Sequence, residues 1–197
     1  MTKSKRRNII EWALLLGIPA LLYITGLHTE VIGKVQQLAL STGIVKPNLS
    51  RSTENVMDGE LYSFALEGND GKPFLLESYK GKVVFMNFWA TWCPPCIAEM
   101  PGIDALYKDI SSNDIVFLMI SIDEDFSKAE RFVEKKNYSF PVFKVRGQIP
   151  TSLRSKSIPA TFIISPDGSI AASHIGMADY NNAKVRNFLK DLVEQWP

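Results

Sequence analysis

Residues 83–101, VVFMNFWATWCPPCIAEMP, decide the fold of this chain of 197 residues. The nearly continuous apolar run over 83–89 is typical of a central strand that is buried on both faces of a sheet. The only two cysteines of the sequence, Cys93 and Cys96, follow this run, and we expect a helix from them to about Ile110. The stretch therefore predicts an α/β domain in which a central strand delivers a Cys-x-x-Cys pair to the start of a helix.

Strands and helices alternate on both sides of this stretch. A hairpin is predicted before it, with strands at 61–66 and 74–75 around the Gly-Asn-Asp-Gly turn at 68–71. After the first helix we predict strands at 115–122, 142–145, 160–164 and 169–174, a helix from the capping box at 127–130 to Lys136, and an amphipathic helix over 180–193. The order β-β-β-α-β-α-β-β-β-α predicts a central mixed sheet flanked by helices.

The first 28 residues differ in character from this domain. Four basic residues precede an apolar run of 19 residues, 9–27, which only Glu11 interrupts, and ~20 helical residues cross a bilayer. No small-residue cleavage site follows the run, so an anchor is favoured over a cleaved signal peptide. We expect residues 1–28 to form a cytoplasmic basic tip and one transmembrane helix, with the rest of the chain outside the cytoplasm.

Residues 29–56 are predicted to be a juxtamembrane stalk or linker. Their first half is either a short helix or a solvated stalk, since apolar residues have helical spacing there at Val31, Val35, Leu38 and Ala39. Polar residues and a proline at 46–56 predict a linker, so the domain is expected to occupy residues 57–197.

Charge argues against one class of partner. Residues 1–56 carry seven basic and three acidic groups (+4), and residues 57–197 carry 15 and 18 (−3), for a formal net charge of +1. This balance provides no overall basic field, so nucleic-acid binding is not expected.

Three interpretations of the cysteine pair compete. A structural disulfide across so small a loop removes little entropy from the unfolded chain, because stabilisation grows with loop length. Structural zinc needs four ligands, and beyond the two cysteines the sequence offers only His28 and His174. A redox pair suits the position, because free amides and the helix dipole favour a thiolate at Cys93, with the second thiol one turn further on. The redox interpretation is therefore favoured.

The two prolines between the cysteines bear on the redox potential. If Cys93 caps the helix, its sulfur accepts from the amides of the second and third helical positions, Pro95 and Cys96, and proline has no amide hydrogen. One donor instead of two stabilises the thiolate less, which favours a more reducing couple than that of a strong oxidase.

The block FWATWCPPC at 88–96 resembles the thioredoxin superfamily, and in particular its membrane-anchored TlpA/ResA-like thiol-disulfide oxidoreductases. Three further features extend the resemblance over most of residues 58–197, namely Glu99, the SIPATF segment at 157–162 and the SPDG turn at 165–168. The resemblance implies a thioredoxin-like fold with an N-terminal β-hairpin and a central strand-helix insertion, preceded by one transmembrane helix.

The resemblance also implies roles for the residues around the disulfide. Cys93 is the expected nucleophile and Cys96 the resolving thiol. Pro159 matches the family's cis-proline, and the preceding Ile158 is expected to pair its backbone with an extended substrate. Trp92 is expected to shape the docking face beside the exposed sulfur.

Glu99 lies one helical turn beyond Cys96, so it is expected to exchange a proton with the cysteine thiols or to perturb their ionisation. The alternative is a solvated surface glutamate. Asn87 occupies the position where cytoplasmic thioredoxins have a buried aspartate, and this departure leaves proton transfer to Glu99 or water.

The function expected from the resemblance is reduction of protein disulfides, outside the cytoplasm, by a single-pass protein of the bacterial cytoplasmic membrane with its domain in the periplasm or equivalent space. The Cys93–Cys96 disulfide would be its redox centre, with no other cofactor and no metal. Its expected partners are protein disulfides and a membrane electron-donor protein, and such family members often serve cytochrome c maturation.

Two alternatives remain for the function. One is a thioredoxin-fold thiol peroxidase, whose Thr-x-x-Cys signature would need threonine in place of Ala90. The other is a non-catalytic thiol- or metal-binding module.

Overall fold

A seven-stranded mixed sheet forms the centre of the computed structural model, which describes residues 3–25, 27–40, 46–47 and 59–196. The strand order is β2-β1-β5-β4-β3-β6-β7, in which β3, β4 and β5 are mutually parallel and the other pairs are antiparallel. The strands are β1 Ala65–Gly68, β2 Pro73–Leu75, β3 Val83–Trp89, β4 Ile115–Ser121, β5 Val142–Arg146, β6 Ala160–Ile164 and β7 Ile170–Ile175. The predicted mixed sheet is confirmed.

Six helices and two 3₁₀ turns lie outside this sheet in the described residues. They are α1 Lys3–Ile24, α2 Leu27–Leu40, the single turn α3 Gly59–Tyr62, α4 Pro94–Ile110, α5 Phe126–Lys136 and α6 Ala183–Glu194, with 3₁₀ turns at Leu76–Tyr79 and Thr151–Leu153. Helices α4, α5 and α6 pack on one face, whereas α3 and the two 3₁₀ turns lie on the other. The β3-α4-β4 and β4-α5-β5 connections step across the sheet in the same direction, and right-handed crossovers then place both helices on one side.

Strand β3 places the stretch that carries the two cysteines, residues 83–101, at the centre of the domain. All seven of its residues are buried, and the six apolar ones alternate between the two apolar clusters of the domain. Val83, Phe85 and Trp89 pack toward α4, while Val84, Met86 and Phe88 pack toward the opposite face. The carboxyl end of β3 therefore delivers the cysteines to a helix that is held against a solid core.

The predicted hairpin is present, but its first strand begins later than expected. Residues Gly59–Tyr62 form a helical turn, and β1 starts only at Ala65. Leu61 and Phe64 are both fully buried and three residues apart, which is helical rather than strand spacing. The expected strand start at position 61 is wrong for this reason.

Two predicted helix starts are also corrected. Helix α5 begins at Phe126, with Asp125 as its N-cap accepting from the Ser127 amide, so the capping box expected at 127–130 does not cap it. Helix α6 begins at Ala183 and is capped by Asn182. Tyr180, which we expected inside that helix, lies before it with a buried ring.

The N-terminal segment contains two helices, and the second, α2, agrees with the short helix that we had left open as one of two alternatives for this part of the chain. Among the described residues, no single helix is long and apolar enough to cross a membrane, and α1 from Glu11 passes that test only together with α2, at a bend of 103°. The expected single transmembrane helix is therefore not confirmed. Helix α2 packs against α4, and most of the linker expected at 46–56 lies outside the described residues.

Candidate active site

The two cysteines form a disulfide with an S–S distance of 2.09 Å at the start of α4. Cys93 is the N-cap of this helix, and its Sγ accepts from the Cys96 amide at 3.3 Å. Prolines occupy the first two helical positions, so the sequence-based expectation of a single amide donor at this sulfur is confirmed. Cys93 is 4% exposed and Cys96 is 0% exposed, so Cys93 is the more accessible residue of the two.

The segment before β6 completes the outer side of the site. The Ile158–Pro159 peptide bond is cis, as the resemblance implied, and the Ile158 carbonyl oxygen lies 3.9 Å from Cys93 Sγ. Trp92 precedes Cys93 and is 58% exposed. The structure therefore brings the Ile158–Pro159 segment next to Cys93, whose chain neighbour Trp92 is exposed.

Glu99 lies beneath the disulfide, inside the domain. It is 1% exposed, so the alternative of a solvated surface glutamate is wrong. Its Oε1 accepts from Asn87 Nδ2 at 2.8 Å, and its Oε2 accepts from the Ala178 amide at 3.2 Å. Burial raises the pKa of Glu99 to about 8, although these two hydrogen bonds act in the opposite direction.

Two residues that sequence reasoning missed extend this buried network. Asn87 Nδ2 also donates to Thr161 Oγ1 at 2.9 Å, and the Tyr180 hydroxyl donates to the same oxygen at 2.7 Å. Burial, followed by the nearby Glu99 carboxyl, raises the pKa of Tyr180 well above its usual value. A threonine within the apolar strand at 160–164 was the available signal, because a buried hydroxyl needs a partner.

A third missed residue, Asp123, holds the loop that leads to the cysteines. Its carboxylate accepts from the Thr91 amide at 3.0 Å, the Thr91 hydroxyl at 2.7 Å and the Ser121 hydroxyl at 2.8 Å. Asp123 follows β4, which pairs with β3 in parallel, so the ends of the two strands meet at this point. The sequence offered one indication of this role, because Asp123 comes at the carboxyl end of a predicted buried strand, where site residues collect in parallel sheets.

A cavity of about 220 Å³ adjoins Glu99 on the side of α2. Polar groups from three segments face it, and its lining residues include Gln37, Leu40, Glu99, Gly102, Asp179 and Asn181. A cavity of this size has room for several water molecules beside the buried carboxyl. In the described part of the chain, no group of three or more His, Cys, Asp or Glu side chains is arranged to hold a metal ion.

A disulfide at the start of a helix, facing a cis-proline at the beginning of a neighbouring strand, defines a thiol-disulfide oxidoreductase of thioredoxin fold. A model of the AhpC/TSA family matches residues 58–173. The chain belongs to this family, and within it to the ResA-like thiol-disulfide oxidoreductases.

Named relatives and solved structures agree with that membership. The thiol-disulfide oxidoreductase ResA of Bacillus subtilis is 30% identical over 169 residues, which cover 85% of this chain and 84% of the relative. The protein of the same name from Halalkalibacterium halodurans is 31% identical over 130 residues, 66% of this chain and 71% of the relative. A thiol:disulfide interchange protein of Chlorobium tepidum superposes with a TM-score of 0.55 at 25% identity, covering 76% of this chain and 97% of that structure.

Proposed function

We propose that this oxidoreductase reduces disulfides in other proteins, from a membrane-anchored position outside the cytoplasm. The observation that carries the reducing direction is the single amide donor at Cys93 Sγ. A thiolate with fewer donors is less stabilised, so the dithiol form gives up its electrons more readily.

The accessible Cys93 is the proposed nucleophile. In the dithiol form its thiolate attacks one sulfur of the substrate disulfide, a mixed disulfide forms, and one substrate thiolate leaves. Cys96 then loses its proton and attacks Cys93 Sγ, which re-forms the intramolecular disulfide and releases the second substrate thiolate. Two electrons pass to the substrate in this cycle, and a dithiol on a membrane donor protein must return them.

Glu99 is the proposed acceptor of the Cys96 proton. It lies one helical turn from Cys96, and a pKa of about 8 allows its carboxyl to release and take up a proton near neutral pH. The adjoining cavity offers water through which that proton exchanges with the solvent. Trp92 and the backbone of Ile158, beside the cis-proline, are the proposed contacts for an extended substrate segment.

The proposed anchor is α1, with its basic tip in the cytoplasm. The apolar residues between Glu11 and Leu27 and the basic residues before them support this orientation through the positive-inside rule. Retention of the full chain in vesicles after alkaline carbonate extraction, together with protease access to the domain from the outside of intact cells or spheroplasts, tests the anchor and its direction.

The redox proposal is tested by the reduction potential of the full chain in detergent, equilibrated with glutathione or dithiothreitol and read by thiol alkylation. A two-electron couple near the roughly −270 mV of thioredoxin supports a reductant, and one near about −120 mV would make the protein a disulfide donor. Insulin reduction should be lost in Cys93→Ser, while Cys96→Ser should accumulate a mixed disulfide with the substrate. Peroxide turnover without insulin reduction would favour the peroxidase, and the absence of any reversible couple would favour the binding module.

A further inference from the structure

Helix α2 is held closely against the redox domain by one of its faces. Gly33 is buried there, and a Cβ added to it would stand 3.1 Å from Ile97 Cγ2 and 3.4 Å from the Pro94 carbonyl oxygen. Both of those residues belong to the first turn of α4, next to the disulfide. The absence of a side chain at Gly33 therefore allows α2 to cross the active-site helix at very short range.

Ion pairs fix the same face to a second helix. The Glu30 carboxylate lies 3.2 Å from Lys136 Nζ and 3.5 Å from Lys135 Nζ, at the end of α5. Leu40, at the other end of α2, is 5% exposed and lines the cavity beside Glu99. Contacts along its whole length thus fix α2 to the domain.

The opposite face of α2 is aliphatic and faces outward. At 3.6 residues per turn, a stripe of four side chains falls within an arc of about 80° that is centred roughly opposite Gly33 and Leu40. The stripe is made of Leu27, Val31, Val35 and Leu38, which are 46%, 45%, 66% and 73% exposed. An aliphatic stripe of this length has no hydrogen-bonding groups to offer a polar partner and is unfavourable in water.

The position of the stripe indicates what it contacts. It continues the exposed apolar surface of α1, where Leu21 and Ile24 are exposed just before the bend. The two helices meet at 103°, so a first helix that stands across a bilayer directs the second along the bilayer surface. An amphipathic helix in that position buries its apolar face at the boundary between headgroups and acyl chains.

We propose that α2 is an interfacial helix, whose Leu27-Val31-Val35-Leu38 stripe lies in the phospholipid surface while its Gly33 face holds the active-site helix. This inference rests on the membrane anchoring proposed above. Packed helices are ~8–10 Å apart between axes, so α4 and its disulfide are held one helix layer above the lipid. Substrate disulfides are then reduced, and the electron-donor dithiol is oxidised, close to the membrane surface. A domain on a long flexible linker would instead meet both partners away from the lipid.

Depth-dependent quenching tests the proposal on the full chain. Both native cysteines are in the disulfide, so a single cysteine introduced under oxidising conditions is labelled selectively. Val35→Cys and Leu38→Cys report the stripe, Gln37→Cys reports the neighbouring face of the same helix, and Asn69→Cys in the exposed hairpin turn is the remote control. Each protein is labelled with a polarity-sensitive fluorophore and placed in phosphatidylethanolamine/phosphatidylglycerol vesicles with and without brominated lipids.

The expected result is strong quenching at positions 35 and 38, several-fold weaker quenching at 37, and none at 69. Equal and strong quenching at 35, 37 and 38 would mean that α2 is immersed in the bilayer, which overturns the proposal. If the chain floats with the vesicles but the labels at 35 and 38 behave like that at 69, the interfacial helix is overturned and the anchor stands. If the chain does not float at all, both fall.

A double variant separates α2 from the anchor. Val31→Ser combined with Val35→Ser leaves α1 and the docked face of α2 unchanged, and both positions are exposed, so folding should be unaffected. We expect this protein to float with vesicles and to reduce insulin normally, while a label at Leu38→Cys loses several-fold of its quenching. Unchanged quenching in that protein would contradict the proposal.

Discussion

Asn87 donates a hydrogen bond of 2.8 Å to Glu99, and neither side chain has more than 1% of its surface exposed. The pair joins the central strand β3 to the active-site helix α4 below the disulfide. An aspartate in place of Asn87 would put two carboxyl groups in contact, whereas the amide supplies a donor. Glu99 is therefore the one ionisable group of this pair, and its burial favours the protonated carboxyl by raising its pKa.

The stability of the oxidised protein should fall as the pH rises from about 4.5 to about 8. The unfolded chain releases the Glu99 proton near 4.5, whereas the folded chain retains it until about 8, so the unfolded state binds fewer protons in this interval. Denaturant unfolding at a series of pH values measures the slope, and Glu99→Gln should remove most of it.

His174 changes the pH dependence of stability in the opposite direction over part of that interval, so the pH range in which the slope is measured matters. Burial lowers the pKa of His174 below 6.5, and its contribution to stability is lost as the pH falls below that value. The slope between pH 6.5 and 8 therefore reports Glu99. An identical slope in Glu99→Gln would show that another group holds the proton.

Replacing Pro95 by alanine should make the disulfide easier to reduce. The new amide at the second helical position adds a donor to Cys93 Sγ, which now accepts from Cys96 alone among the described amides. A hydrogen bond to a charged group contributes roughly 1.5–3 kcal/mol, and about 30 mV corresponds to ~1.4 kcal/mol, so the potential should rise by several tens of millivolts. Pro94→Ala is the matched control, since the amide of the first helical position is not a capping donor; equal shifts in both variants would contradict the argument.

Asp123→Ala should destabilise the oxidised domain by roughly 1–3 kcal/mol, because the Thr91 amide and hydroxyl and the Ser121 hydroxyl all lose their acceptor. The free energy of unfolding measures this loss, and insulin reduction should slow because the loop before Cys93 is less well held. Asp70→Ala, in the exposed hairpin turn, is expected to change stability by no more than about 0.5 kcal/mol. If the two variants lost the same free energy of unfolding, Asp123 would not have the positioning role that we assign to it.

Gly33→Leu should displace α2 from α4. Its side chain would meet Ile97 and the Pro94 carbonyl, whereas a Cβ added at Gly17 meets nothing within 4 Å, so Gly17→Leu is the control. Leucine favours a helix over glycine by up to ~1 kcal/mol, so the helix itself should persist. Carbodiimide crosslinking of Glu30 to Lys136, which are 3.2 Å apart, measures the docking, and its yield should drop sharply in Gly33→Leu only. Undiminished crosslinking would show that close packing at Gly33 is not required.

Local pattern was sufficient for the centre of the fold. The apolar runs at 83–89 and 160–164 correspond to β3 and β6 as observed, and Cys93 caps α4 as its position predicts. The cis bond before Pro159 came from family resemblance, because cis is the rarer isomer for any X-Pro bond and spacing alone does not indicate it.

Long-range contacts account for what could not be predicted. Asp123 reaches Thr91 across 32 positions and Tyr180 reaches Thr161 across 19, and these meetings depend on which strands become neighbours. The packing of α2 against α4 also depends on residues far apart in the sequence. Its apolar residues were recognised at helical spacing, but the face that packs against the domain is marked by a glycine, which carries no hydrophobic signal.

The place of the hairpin in the sheet also determines the order in which the strands can pair while the chain is being synthesised. Strand β1 pairs with β5, and Ala65 stands opposite Arg146, so the earliest strands of the domain acquire their sheet partner only after residue 146 has been made. Until β5 and β6 arrive, the growing sheet has two open edges, β4 and β3, whose residues are almost all buried in the native protein. A ribosome that pauses between β4 and β5 therefore leaves a long apolar edge free to pair with another nascent chain, and the growing protein is most prone to aggregate during that interval.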